Sequence, residues 1–328
     1  MRRHASWLVA GLLLAGMSFA ALAQETSKIY HVGILGGGAA LSVNDERRIG
    51  LINGLADRGF IEGRNLAFES RWAEGHLERL PALAAELIKA RVNAIVTFGY
   101  PTAVAAKQAT TTVPLVVTGS GDPVATGLVE GLARPGGNMT GLTELSTELS
   151  AKRLQLLQEA VPGLKRVAMI WNAADLGMTL RTRAAETAAK TLGIDVQTLG
   201  VREPEDFDEA FAAMIRDRPD AIMMVSDALT ILNRKRIVEF ASANRLPTIY
   251  ELAGLARDGG LMSYGANQAS LGDRAADFVA RILKGARPAE LPLEQPTKFE
   301  FVVNLKTAKI LGLVIPQSVL IRADEVIE

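Results

Sequence analysis

Ile29-Tyr30-His31-Val32-Gly33-Ile34-Leu35-Gly36-Gly37-Gly38 is the stretch on which the fold turns. Ile29–Leu35 is rich in β-branched and aliphatic side chains and reads as a buried strand. The three glycines break it. Asp45–Arg58 follows with Ile49, Ile52 and Leu55 at helical spacing, and Gly59 closes it. Strand, glycine turn and amphipathic helix make one βα unit. Downstream the unit recurs: Leu66–Trp72 and Leu77–Ala90, Ala94–Phe98 and Thr102–Thr110, then strands Pro114–Thr118 and Asn138–Leu142. Serial βα units predict a mainly parallel sheet covered by helices on both faces.

The pattern then restarts. Ser150–Ala160 is a helix ending at Pro162-Gly163. Strands are expected at Arg166–Trp171, Asp195–Leu199, Ala221–Ser226, Thr248–Tyr250 and Leu261–Tyr264. Helices are expected at Thr179–Leu192, Glu205–Asp217 and Asn233–Asn244. The fold class is therefore α/β, with two doubly wound lobes. Lobe 1 is expected over 24–145 and lobe 2 over 146–264. Helix Leu271–Leu283 and the proline-marked connection Pro288, Pro292, Pro296 fill 265–298, which is expected to return to lobe 1. Strand Phe299–Asn304 and helix Lys306–Leu311 lie in 299–328, expected on lobe 2. That crossing is inferred from the class of fold.

Working towards the N-terminus, Arg2, Arg3 and His4 precede the apolar run Trp7–Leu22, and Ala21-Leu22-Ala23 gives an A-x-A cleavage signature. This is the layout of a secretory signal peptide over residues 1–23, and its apolar stretch is short of the roughly 20 residues that span a bilayer. The expected location is the periplasm. Cleavage leaves 305 residues, enough for two domains. The chain is 48% hydrophobic and carries 36 basic and 36 acidic residues, so nothing electrostatic points to nucleic acid or an anionic membrane. It has no cysteine, which excludes disulfides, thiol catalysis and a lipid-anchoring thiol, and only three histidines, which leaves little room for a metal site. No cofactor or metal is expected.

In open parallel sheets, ligands sit beyond the carboxyl ends of the strands. The candidate binding residues are those just after each strand: Gly37 and Gly38; Gly99, Tyr100, Pro101 and Thr102; Ser120, Gly121 and Asp122; and, in the second half, Asn172, Asp227 and Tyr250. The glycines let backbone approach a ligand, or simply make tight turns. Thr102 and the helix start could cradle a carboxylate, or form an ordinary cap. Tyr100 could stack on a flat ligand. Asp122 and Asp227 could accept from a ligand amine, or cap the next turn or helix. Trp171 is core or pocket wall. Leu41 stands where a dinucleotide fingerprint needs its third glycine, and no G-x-S-x-G, H-E-x-x-H or P-loop lysine motif occurs. No catalytic residue is assigned, and the chain reads as a non-enzyme.

Several longer stretches carry a resemblance. Leu132-Ala133-Arg134-Pro135-Gly136-Gly137-Asn138-Met139-Thr140-Gly141-Leu142 looks like the L-x-R-P-G-G-N-x-T-G-L signature of a family of ABC-importer substrate-binding proteins. Asp122-Pro123-Val124 with Gly127-Leu128-Val129, Gly260–Gly265, Leu291–Phe299, Asn304–Lys309 and Arg322–Ile327 resemble further motifs of it. The resemblance implies a type I periplasmic-binding-protein-like fold that closes on a small ligand and serves a permease in the cytoplasmic membrane. Some members bind tryptophan or tyrosine, which implies an aromatic or apolar amino acid as ligand and a monomeric carrier. In them the loops matching Gly99–Thr102 and Ser120–Asp122 face the cleft; Asn172 and Asp227 are weaker transfers. The chain departs from the family at Gly272-Asp273-Arg274-Ala275-Ala276, commonly Tyr-Arg-Arg-Ala-Ala, and at Glu251–Ala256. The alternatives are a binding protein that reports to a membrane sensor, or an enzyme on the same fold; a repressor is disfavoured by the leader and the lack of a helix-turn-helix.

Overall fold

In the computed structural model the described residues are 28–143 and 146–328, with no side-chain detail for 146–148. The expected leader lies outside them, as does part of the joint between the halves.

The first sheet is built from β1 (Tyr30–Gly36), β2 (Leu66–Trp72), β3 (Ala94–Phe98), β4 (Leu115–Thr118) and β5 (Met139–Gly141) in the order β2-β1-β3-β4-β5, all parallel. Its strands alternate. Val32, Ile34, Ala94 and Val96 point to one face, where α1 (Glu46–Asp57) packs; Leu35, Ile95 and Val117 point to the other, under α2 (Leu80–Lys89) and α3 (Tyr100–Ala109). Both faces are covered, so the strands read as nearly continuous apolar runs.

The second sheet repeats that order. It comprises β6 (Arg166–Asn172), β7 (Asp195–Val201), β8 (Ala221–Met224), β9 (Thr248–Tyr250) and β10 (Met262–Ala266), running β7-β6-β8-β9-β10. Two strands extend it: β11 (Phe299–Asn304), antiparallel to β10, and β12 (Glu325–Ile327), parallel to β11. Its layers are α4 (Ser146–Ala160) and α5 (Leu176–Thr191) on one face, and α6 (Asp206–Arg216), α7 (Ala228–Leu232), α8 (Arg234–Ala243) and α9 (Ala253–Arg257) on and around the other. Helices α11 (Leu305–Leu311) and α12 (Gln317–Leu320) join the first of these layers through Ala308 and Val319.

Helix α10 (Gln268–Leu283) follows the second lobe in sequence but packs on the first. Its Leu271, Ala275, Phe278 and Val279 share one core with Val32, Leu51 and Leu55. The crossing with α1 is close because both helices carry glycine there. A Cβ on Gly50 would lie 2.1 Å from the Ala269 carbonyl oxygen, and one on Gly272 2.3 Å from the Arg47 carbonyl oxygen. The departure from the family pattern at Gly272 thus has a local reason: a tyrosine would not fit between these backbones.

The chain passes between the lobes three times, after β5, between β10 and α10, and between the 290s and β11. The passages are tied together. The Thr143 amide donates to the Glu294 carbonyl at 2.8 Å, and the Asn267 amide to the Lys298 carbonyl at 3.0 Å. Leu142 also bridges Glu294 in parallel, so the described ends of these passages lie side by side.

Candidate functional site

Both sheets switch direction of winding beside their first strand, between β1 and β3 in one lobe and between β6 and β8 in the other. The carboxyl ends of these four strands face one another across a cavity of about 430 Å³, within the roughly 300–1,000 Å³ usual for small-molecule sites. The lobes touch around it. Gly38 approaches Ala228, Gly75 approaches Leu232, and Gly121 lies against Gly177, so the cleft is closed.

Lobe 1 supplies backbone and apolar surface. Gly37 and Gly38 line the cavity after β1, and Gly99, Pro101 and Thr102 line it after β3. Gly99 caps α3 with φ +99°, a conformation that favours glycine. Thr102 Oγ1 donates to the Gly99 carbonyl at 2.8 Å, so this hydroxyl shapes the turn. No side chain caps α3, and its first amides keep the partial positive charge of a helix start. Trp72 and Phe98, from β2 and β3, also line the cavity and stack at 6.2 Å with 9° between planes. The Arg47 guanidinium lies 5.4 Å over the Phe98 ring.

Lobe 2 supplies carboxylates. Asp175 caps α5 by accepting from the Met178 amide. Asp227 caps α7 in a capping box with Thr230, and its other oxygen accepts from Asn172 Nδ2 at 2.6 Å. Both line the cavity, as do Arg47 and Arg234. Burial, with the neighbouring Asp227 charge, pushes Asp175 up to about 6. Burial raises Asp227 as well, against its hydrogen bonds to Thr230 and Asn172.

A third carboxylate holds this wall in place. Glu251 Oε1 accepts from Arg181 at 2.6 Å and from Arg153 at 3.0 Å, and Oε2 accepts from the Ser226 amide. Arg153 Nε donates to the Tyr264 carbonyl at 2.7 Å. One buried cluster therefore fastens α4 and α5 to the ends of β8, β9 and β10.

Six of the twelve residues expected from sequence come together on the cavity: Gly37, Gly38, Gly99, Pro101, Thr102 and Asp227. The other six are placed elsewhere. Tyr100 lies with its Cβ beside Gly177, and burial with the nearby Asp175 charge raises its hydroxyl. Ser120 is fully buried behind the wall, and Gly121 meets α5 at the lobe contact. Asp122 is exposed and accepts from the amides of Val124 and Ala125, closing a turn. Asn172 is buried and positions Asp227 from behind. Tyr250 points into the core against Gly260, and burial pushes its hydroxyl up to about 12. Strand alternation explains this last case, because the neighbouring Glu251 takes the cleft side. Trp171 packs against a core cluster and not on the cavity.

Trp72, Phe98, Asp175 and Glu251 also line the cavity and are not among the twelve, although the post-strand loops of the second half include Asp175 and Glu251. Trp72 and Phe98 are the last residues of β2 and β3, so the strand-end rule would have found them had it included the terminal strand residue. Asp175 sits four residues before Thr179, the start expected for α5; the helix begins at Leu176.

Two similar α/β lobes, three passages of the chain between them and a closed cleft at the switch points define a two-lobed solute-binding protein. A family model described as ABC transporter substrate binding protein matches residues 41–327, and the chain belongs to that family. A tyrosine-binding protein of Clostridioides difficile (strain R20291) is 25% identical over 270 residues, covering 82% of this chain and 77% of the relative. A crystal structure of a conserved domain protein from Vibrio cholerae O1 biovar eltor str. N16961 has a TM-score of 0.86 at 27% identity, over 91% of this chain and 100% of that one. An ABC domain in complex with L-Trp from Streptococcus pneumonia shares the fold, with a TM-score of 0.84 at 23% identity, over 92% and 100% of the two chains. Among the described residues, no helix is long and apolar enough to cross a membrane, and no group of three or more acidic or histidine side chains could hold a metal.

Proposed function

We propose that this chain is the extracytoplasmic capture component of an ABC importer, a monomeric carrier whose cargo is an amino acid with an aromatic or apolar side chain. The observation that carries the reading is the polarity of the closed cleft. Lobe 2 presents the buried carboxylates Asp175 and Asp227, lobe 1 presents an uncapped helix start, and the space beside them is apolar. A zwitterion matches both walls, its ammonium against the carboxylates and its carboxylate toward the amides of α3. The relatives that bind tyrosine and L-Trp support the ligand class.

The mechanism is a population shift. Closing the lobes without a ligand strips water from Asp175 and Asp227, and Arg181, the cation that offsets Asp175, is already shared with Glu251. A ligand ammonium removes that cost only when the lobes are shut, so it binds the closed form more tightly and draws the equilibrium toward it. A permease then reads the closed face. No bond is made or broken in the cargo.

The test is titration calorimetry with the twenty amino acids, together with thermal unfolding. A cargo at 100-fold excess over its dissociation constant adds about 2.7 kcal/mol of stability. Asp227→Asn keeps the helix cap but removes the charge, and is expected to weaken binding at least tenfold. Failure of every amino acid to bind would overturn the ligand class, and recovery of a chemically altered cargo would overturn the carrier role.

A further inference from the structure

The two rings on the cleft wall owe their arrangement to a residue with no side chain. In the first sheet Gly36 is in register with Trp72 on one side and with Phe98 on the other. All three fall on the same face. Tyr30, Val32 and Ile34 precede Gly36 at alternate positions on β1, as Phe68 precedes Trp72 and Val96 precedes Phe98. The strands of Trp72 and Phe98 are next-nearest neighbours, about 9–10 Å apart. Side chains standing upright at that spacing would leave a slot over β1. Instead the indole folds down across it. A Cβ added to Gly36 would lie 2.0 and 2.1 Å from Trp72 Cζ3 and Cε3. That lean brings the rings to their 6.2 Å stack.

On the α1 and α10 side, Leu51, Leu271 and Ala275 share a core cluster with the two rings and line the cavity beside them. A ring displaced from β1 would have to swing into the cleft. The stack is also too tight to admit a third ring between its members, since two stacked contacts need about 7 Å, so a ligand ring must lie on the platform and not within it.

We propose that Gly36 determines specificity: by leaving room for Trp72 to lie over β1 beside Phe98, whose ring already carries the Arg47 guanidinium, it leaves the indole as the flat apolar platform that accepts a planar side chain and disfavours a small or branched one. This deepens the amino-acid reading above and rests on it for the ligand's polar half, but not for its ring.

The experiment compares aromatic with aliphatic cargo. Gly36→Ala is expected to weaken L-Trp, L-Tyr and L-Phe at least tenfold and L-Leu or L-Ala by no more than threefold. A merely structural role would lower all five by one factor, and that outcome overturns the proposal, as does no change. If Gly36→Ala fails to fold, Trp72→Leu reads the same platform. It must cut the ratio of aromatic to aliphatic affinity at least tenfold, and an unchanged ratio overturns the idea. If the wild type binds no amino acid, the ligand reading has failed and the platform is judged alone with indole and p-cresol. The reporter is then fluorescence of Trp72 in residues 24–328 carrying Trp171→Phe. Quenching that Gly36→Ala abolishes sustains the platform, and no quenching by either probe overturns it.

Discussion

Glu251 illustrates how one side chain can organise a wall it barely touches. It is 8% exposed and takes hydrogen bonds from two buried guanidiniums and a backbone amide. Breaking a buried ion pair from one side leaves charge without its counter-charge, at about 3–5 kcal/mol. Glu251→Gln should therefore lower stability by about 3 kcal/mol in urea unfolding, with loss of ligand binding as the wall relaxes. Asp175 makes a different prediction. Its carboxyl titrates at about 6 in the closed molecule, above the ordinary 3.8. A raised acid favours the fold when protonated, so this contribution is fully present below about pH 4 and is lost as pH rises through about 6. Its size is on the order of 2–3 kcal/mol. The ligand-free stability of wild type relative to Asp175→Asn should fall between pH 4 and pH 7, and an ammonium ligand should bind more tightly at pH 7 than at pH 5. Calorimetry across that range checks both. At this scale the sequence was only half legible. Strand order located the loops, but side-chain direction depends on the register of pleat and helix start. Tyr250 and Glu251 are adjacent and point opposite ways, and no residue type reveals which one faces the cleft.

Among the elements, α10 is the most consequential. It completes the first lobe from the far end of the chain, and its glycine crossing with α1 leaves no room for a methyl group. Gly272→Ala should cost about 1–3 kcal/mol by overpacking. The loss should be seen in a lobe 1 probe such as Trp72 fluorescence before it is seen in lobe 2. Most elements were readable from apolar period and glycine or proline stops, including every strand of the first sheet and β6 to β11. Some of the short ones were not. Helix α9 and strand β12 span five and three residues, too few for a period to show, and α7 begins at a capping box whose aspartate read equally well as a ligand residue. These pieces exist because the tertiary frame supplies their partners.

At the level of the whole molecule, an ion pair among the described residues spans the lobes at the rim. Arg257 on α9 meets Glu46 on α1 at 2.8 Å while also holding Glu300 and Glu325 of its own lobe at 2.7 and 2.6 Å. Those acids raise its already high affinity for a proton, so it stays charged. Exposed pairs contribute about 0.2–1 kcal/mol and are screened by salt. Glu46→Ala should weaken ligand binding two- to fivefold at low salt, with the difference vanishing above about 0.5 M. Small-angle scattering should show a more open ligand-free population. An effect that survives high salt would rule out this electrostatic account.

The threefold passage of the chain also fixes an order of assembly. The first lobe needs α10 and the segment to Leu291 to close its core, and these are made only after all of β6 to β10. During synthesis the N-terminal lobe must wait, unfinished, for about 140 further residues, on the order of ten seconds at ribosomal speed. The second lobe waits as well, because β11, β12, α11 and α12, which complete its sheet and core, come after α10. A chain stalled before residue 268 would therefore carry two unfinished lobes, both open to chaperones and proteases, because one C-terminal segment closes the two cores together.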